Sequence, residues 1–317
     1  VKSWAAWTDT YYFDEFMGQP QVNFGPLFGH QYSHVWVDFR GINDPYMTAR
    51  GFDYFENSRR ATLANRDFCV KNQAKFPHFN EKNWGLTACD GPADWFWKDP
   101  SAQKSACADR DNFEGYSARG AASDYETNDG TIAPTAAGGS IPFAPGPCIA
   151  TLESMWNTYG DSLVGKYGFK DAFNPGFTAC GKLPGGWFDV DYLGIDQGPI
   201  LLMLENWRSG FLWNLMKKNQ NLVRGMKRAG FKGGWLEKAD PKTVKTTSPA
   251  FVNTAIPTDL KTFFSKNNFR GAVKNGGTPL PYRFFNPMVY SEKQNIPAPY
   301  VPQSNPPRPD LPKKIAE

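Results

Sequence analysis

The sequence predicts an all-α fold, and three observations carry that expectation. Apolar residues recur every three or four positions in several stretches, which places them on one side of a helix. Runs that alternate apolar with polar residues, the mark of a half-buried strand, are scarce. The punctuation also suits helices. Asp53 precedes a helical run with Glu56 three residues on, the spacing of a capping box, and Pro26 opens another run where its missing N–H leaves nothing unpaired.

In chain order, a first helix is expected from Ser3 to Met17, with Trp4, Trp7 and Tyr11 on one stripe and Tyr12 and Phe16 beside them. A second starts at Pro26 and carries His30 and His34 one turn apart. A third follows Asp53, and there Glu56 stands three and four residues before Arg59 and Arg60, so one face presents an acid and one or two guanidinium groups. A plain cap with a surface ion-pair ladder would look the same. The stretch from Cys89 to Asp129 is rich in Asp, Ser, Ala and Gly and is broken by Pro92 and Pro100, so it reads as a long loop. Its Trp95, Phe96 and Trp97 would either form a stacking platform for a ligand or pin the loop to the body.

Further on, Cys148, Leu152, Met155, Trp156 and Tyr159 form a helical stripe, with Gly160 expected to end it. Asp196 as cap and Pro199 in the first turn open another helix, where Ile200, Leu204, Trp207, Phe211 and Leu215 repeat and Lys217 and Lys218 follow. A short helix covers Asn221 to Arg228. After Leu236 the character changes. Half of the 26 prolines lie between Pro241 and Pro312, and helical periodicity is slight. Residues 239–317 are therefore expected to be a Pro-rich extension that wraps a domain spanning 1–238.

Composition bounds the function. With 317 residues, 40% of them hydrophobic, the chain can bury a substantial core. A net charge of +4 without a basic run gives no reason to expect nucleic acid. The longest apolar run, Ile200 to Leu204, is far short of a membrane span. The five cysteines show no C-x-x-C spacing, which argues against a zinc ribbon or a thioredoxin-like motif. A periplasmic or secreted location would allow disulfides, and Cys89 with Cys107, which flank the loop, is the preferred pair. His30 and His34 have half the spacing of a zinc site. However, the only other histidine is His78 and no Glu follows His30, so neither a metal nor a cofactor is expected.

Several blocks are dense in polar groups and aromatics. They are Phe24 to Gly41, Gly51 to Ala64, Trp84 to Pro92, Asp129 to Ala137, Tyr167 to Pro175 and Gly194 to Pro199. In order and spacing they resemble the glucoamylase-like domain of glycoside hydrolase family 144, the bacterial β-1,2-glucanases, which is also found in cyclic β-1,2-glucan synthases. The resemblance runs from about Trp4 to Leu236. It implies an (α/α)6 toroid of which this chain is similar to the C-terminal part, so that an N-terminal segment or a second chain would complete the barrel.

The resemblance also implies a chemistry. A glycosidase needs a proton donor for the leaving oxygen and a carboxylate that attacks or activates water. By resemblance Glu56 is the donor. A donor at neutral pH needs a raised pKa, so Arg60 is expected to point elsewhere. Asp129 and Asp90, both in Asp-Gly turns, are the candidates for the second carboxylate. The substrate-binding set is expected to be His30, Gln31, His34, Arg59, Trp84, Gln197 and Glu205. The reading is a periplasmic or secreted hydrolase of a β-linked glucan, with an oligo- or polysaccharide as its partner. The alternatives are a carbohydrate-binding or scaffold chain without a complete catalytic set, and a cyclising transglycosylase.

Overall fold

A computed structural model of the chain describes residues 2–93, 112–179 and 181–239. The Pro-rich extension, the Trp95–Phe96–Trp97 trio, Cys107 and Cys180 lie outside the described residues. The architecture is helical with small two-stranded antiparallel ribbons.

The helix expected after Asp53 is present. It runs Tyr54–Lys71 (α4), and the Asp53 carboxylate accepts the Glu56 N–H at 2.8 Å as its N-cap. It follows α1 (Lys2–Thr8), α2 (Tyr32–Trp36) and α3 (Pro45–Arg50). Its buried face is polar as well as apolar: Asn57, Ser58 and Asn65 are inside together with Ala61, Phe68 and Cys69. Each buried amide is satisfied by backbone. Asn57 accepts the Val22 N–H at 2.8 Å, and Asn65 both donates to the Leu86 carbonyl and accepts the Leu86 N–H at 3.0 Å. These side chains staple α4 to flanking loops much as a strand edge would.

The N-terminus departs from expectation. Instead of one helix over Ser3–Met17, α1 ends at Thr8, and β1 (Phe13–Phe16) pairs antiparallel with β2 (Gln19–Val22). The connection is Met17-Gly18, both at positive φ (50° and 72°), the two-residue turn whose twist matches a hairpin. The aromatic run that read as a helical stripe is equally a strand-forming run. The segment after Pro26 is a 3-10 turn over Leu27–His30 that leads into α2.

The expected long loop carries three short strands after its undescribed part. Ser117–Ala118 (β4) pairs with β3 (Ala88–Cys89), and Gly120–Ala122 (β5) pairs with Tyr125–Thr127 (β6). Gly120 lies against the backbone of Gly25, where a Cβ would come within 2.1 Å.

In the second half, α5 (Pro134–Gly138) and α6 (Pro145–Leu163) are followed by hairpin β7–β8 (Val164–Gly165, Gly168–Phe169) and ribbon β9–β10 (Phe173–Asn174, Trp187–Phe188). Helix α6 passes through Gly160, which is not its terminus. Helix α7 (Gly194–Ser209) takes Leu193 as N-cap, leaving Asp196 inside the first turn, and Gly210 ends it at φ 67°. Then come α8 (Phe211–Met216), α9 (Gln220–Arg228, capped by Asn219) and α10 (Gly234–Glu237).

The expected apolar stripe on α7 and α8 is real but points outward. Asp196, Pro199, Met203 and Asn206 are buried, whereas Leu204, Trp207, Phe211 and Leu215 are exposed. Periodicity identifies an apolar face without saying what covers it.

The main core gathers Phe68, Phe79, Trp84, Leu86, Ile132, Ile141, Met155 and Phe173. No described helix is long and apolar enough to cross a membrane. Cys69, Cys89 and Cys148 are buried free thiols, and the expected partner of Cys89, Cys107, lies outside the described residues.

Candidate active site

Glu56 is held by two guanidinium groups. Arg59 donates to both its oxygens at 2.7 and 2.8 Å, and Arg60 donates at 2.9 Å. The hydrogen bond from Arg59, then that from Arg60, keep the carboxyl below its ordinary range despite partial burial. A proton donor needs the opposite. Arg60 does not turn away as expected: it bonds Glu56 and the Pro20 carbonyl and lies 3.9 Å over the Phe52 ring. Arg59 is thereby committed to Glu56.

Asp129 is also an ion-pair residue. Burial alone would raise its pKa, but Arg119 bonds it bidentately at 2.7 and 2.6 Å and the Glu114 and Thr131 N–H groups add to it, so the net shift is downward. Arg119, fully buried, further donates to the carbonyls of Cys89, Asp90 and Glu114. The pair clamps the loop to β3.

The expected sugar-binding histidines are interior. His30 and His34 are buried, and burial pushes them down to about 4 and about 3, so both are neutral. Ser58 Oγ lies 3.0 Å from His34 Nε2, and Gln31 donates to the Ala136 carbonyl and to Ser140 Oγ. Their hydrogen bonds therefore hold α2 to α4 and α5. Trp84 is fully buried in the core. Gln197 donates to the Phe169 carbonyl, and Glu205 is taken up by Arg208 and Ser209 on the surface.

Asp90 differs from the other predicted acids because it belongs to a carboxylate cluster. Its N–H donates to Asp171 Oδ2 at 2.8 Å. Ribbon β9–β10 brings in Asp189: the register Phe188↔Phe173 and the bond from Asp189 N–H to the Ala172 carbonyl set it beside Asp171. Asp196 reaches the cluster from the first turn of α7. Asp171, Asp189 and Asp196 are 1, 3 and 4% exposed, and each keeps one buried oxygen without a hydrogen-bond partner. Among the described residues none of the three has a cationic partner within ion-pair distance.

Buried carboxylates crowded in this way hold protons. Burial first, then the charge of Asp196, raises Asp171, and burial with the charges of Asp90 and Asp189 raises Asp196. The two acids titrate as a pair, and their crowding favours a proton held between them. Asp189 is pushed up to about 6 by burial and by its acidic neighbours. Tyr32 rises to about 12 through burial and then through the charge of Asp196. Asp90, Asp171 and Asp189 also have oxygens within 4.8 Å of one another, an all-oxygen set of the kind that can hold a hard divalent cation.

Only Asp90 among the predicted site residues lies here. Asp171 and Asp196 lie inside blocks that carried the family resemblance, and Asp189 follows in Trp187-Phe188-Asp189. The available signal was the density of aspartates around short aromatic strands.

Comparison with known proteins places the chain. The family described as putative glucoamylase matches residues 1–220. The chain belongs to that family. This glucoamylase-family chain is similar to the exo β-1,2-glucooligosaccharide sophorohydrolase (non-reducing end) of Parabacteroides distasonis, at 30% identity over 68% of this chain and 25% of that protein. Among solved structures it is similar to a putative glucoamylase from Bacteroides uniformis (35% identity, TM-score 0.56, 72% of this chain and 48% of that one). It is also similar to the endo-β-1,2-glucanase of Chitinophaga pinensis in complex with sophorotriose and glucose (30% identity, TM-score 0.56, 73% of this chain and 49% of that one). The chain thus spans about half the length of these solved relatives and a quarter of the sophorohydrolase. Its mostly helical architecture agrees with theirs.

Proposed function

We propose that this chain supplies the carboxylate site of a glycoside hydrolase acting on a β-linked glucan, most closely a β-1,2-glucan. The observation that carries the reading is the Asp171–Asp196–Asp189 cluster: buried carboxylates with raised pKa values and, among the described residues, no cationic partner within ion-pair distance. Asp171 is the proton donor. It gives its proton to the glycosidic oxygen as the bond to the anomeric carbon breaks. A water supplies the hydroxyl to that carbon and loses its proton to an ionised neighbour, Asp189 or Asp196. The relatives named for β-1,2-glucan substrates support the substrate class, because they share the family and not the fold alone.

The outward apolar face of α7 and α8, and a match to half of each solved relative, support reading the chain as part of an (α/α)6 toroid completed by a further helical segment. A polymeric glucan as substrate fits a periplasmic or secreted enzyme.

The test is reducing-sugar release from linear β-1,2-glucan by the full-length protein and its Asp171→Asn variant. The variant should lose roughly 10² to 10⁴ fold in kcat, the contribution of a positioned acid, and recover much of it on a glucan with a phenolate leaving group that departs without protonation. Full activity in the variant would remove Asp171 from the reaction.

A further inference from the structure

Beside the carboxylate cluster lies a row of aromatic rings that neither the core nor the proposed chemistry uses. Phe24, Phe28, Tyr32 and Trp36 follow one another every four residues through the 3-10 turn and α2. The first three rings make a physical row, and Trp36 follows four residues after Tyr32 in α2. The Phe24 and Phe28 rings are 5.6 Å apart and those of Phe28 and Tyr32 5.1 Å apart. Phe24 and Trp36 are 49 and 50% exposed, a large apolar area left to solvent. Glycines seat the upper end: a Cβ on Gly29 would come within 2.3 Å of the Phe24 ring, and one on Gly25 within 2.1 Å of the Tyr125 ring. Tyr125 is itself partly exposed and is tied by its hydroxyl to the Ala118 carbonyl.

The composition of this row separates it from the other exposed apolar face. The α7 and α8 face is largely aliphatic, with Leu201, Leu204 and Leu215 beside Trp207 and Phe211, as a surface that packs against another helix would be. The row is wholly aromatic. Flat rings with a polarised face suit the C–H faces of pyranose units, whose hydroxyls then point sideways into water or toward polar neighbours. The row also lies next to the helix that carries one of the acids: Tyr32 belongs to α2, which Asn206 of α7 holds by donating to the Val35 carbonyl at 2.9 Å, and Asp196 sits in the first turn of α7.

Ring orientation bears on the linkage. Phe24 and Phe28 are inclined at 84° and Phe28 and Tyr32 at 41°. A flat ribbon such as a β-1,4-glucan presents parallel sugar faces and would call for coplanar rings. A β-1,2-linked chain bends at each linkage and turns successive faces.

We infer that Phe24, Phe28, Tyr32 and Trp36 form a subsite track for a bent glucan chain that leads into the Asp171 cluster. The inference rests on the glycosidase reading and adds to it the residues that select the chain's shape and length. Phe24, Phe28 and Trp36 are binding residues, whereas Tyr32 lies within reach of the Asp196 charge.

Calorimetric titration of the full-length protein with linear β-1,2-gluco-oligosaccharides of increasing length, and with cello-oligosaccharides of the same lengths, tests the inference. The β-1,2 series should gain affinity with each added unit and the β-1,4 series should not. Phe24→Ala and Trp36→Ala should each weaken binding of the longer β-1,2 chains by roughly 3- to 10-fold while binding of the shortest is little changed, the scale of one aromatic contact. Trp36→Phe should recover most of the loss. In turnover the two alanine variants should raise KM and leave kcat and its pH profile in place, whereas Asp171→Asn lowers kcat with affinity retained. If wild-type protein hydrolyses the glucan and both alanine variants bind long chains as wild type does, the track is wrong and the carboxylate reading stands. Equal binding of the two linkage series overturns the shape argument. Absence of any glucan binding by the wild type overturns both readings.

Discussion

Replacing Asp189 by Asn gives a direct measure of what the carboxylate cluster does to the fold. Asp189 is 3% exposed; Oδ1 accepts the Val190 N–H at 2.7 Å and Oδ2 has no partner. Its folded pKa is about 6, against an unfolded value near 3.9. The native chain therefore holds a proton that the unfolded chain has already released, so stability falls as pH rises through the interval from about 4 to about 6 and then levels off. A gap of about two between the folded and unfolded values, at about 1.4 kcal/mol for each tenfold change in proton affinity, amounts to a penalty of roughly 3 kcal/mol at pH 7. Asn has no such titration. The stability of Asp189→Asn minus that of wild type should be near its low-pH baseline at pH 4 and should rise by about 3 kcal/mol by pH 7. Loss of one charge also relieves Asp171, so the measured rise includes some coupling.

Buried His30 and His34 act in the other direction, because the unfolded chain takes up protons below about pH 6.5 that the native chain refuses, and stability then falls as pH falls. That contribution is common to both proteins and cancels in the difference. Urea unfolding at pH 4, 5, 6, 7 and 8 gives the curve. A flat difference, or one that falls with pH, would mean that the cluster is neutralised by something other than protons and would refute the reasoning.

Two further substitutions separate structural from catalytic acids. Glu56→Gln removes a partly exposed ion pair and should lower stability by no more than about 1 kcal/mol while kcat on glucan stays within about twofold of wild type. A large fall in kcat that an activated leaving group restores would return the donor role to Glu56. Arg119→Leu strands the buried Asp129 charge and should lower stability by about 3 to 5 kcal/mol, seen as a drop of roughly 10 °C in Tm; an unchanged Tm would show that the clamp is idle.

Local signals in the sequence were enough for the helix behind Asp53, the short helix that ends at Arg228, the helical character and the family. All of these depend on residues within a turn or two of one another, or on blocks in fixed order, and a linear string carries such information. The string also contained the right acidic blocks. It could not say which acids keep a proton, because that depends on which charges meet. Glu56 and Asp171 both sit in family-like blocks, yet α4 brings two arginines onto Glu56, whereas ribbon β9–β10 and the first turn of α7 bring aspartates onto Asp171. The same holds for the apolar faces. The spacing on α7 was legible, but its outward direction was set by Asp196, Pro199, Met203 and Asn206 packing inward. Position along the chain determines which faces exist. Only tertiary contact decides which face is buried and which carboxyl is left without a cation, since burial and Coulomb energy depend on distance through space.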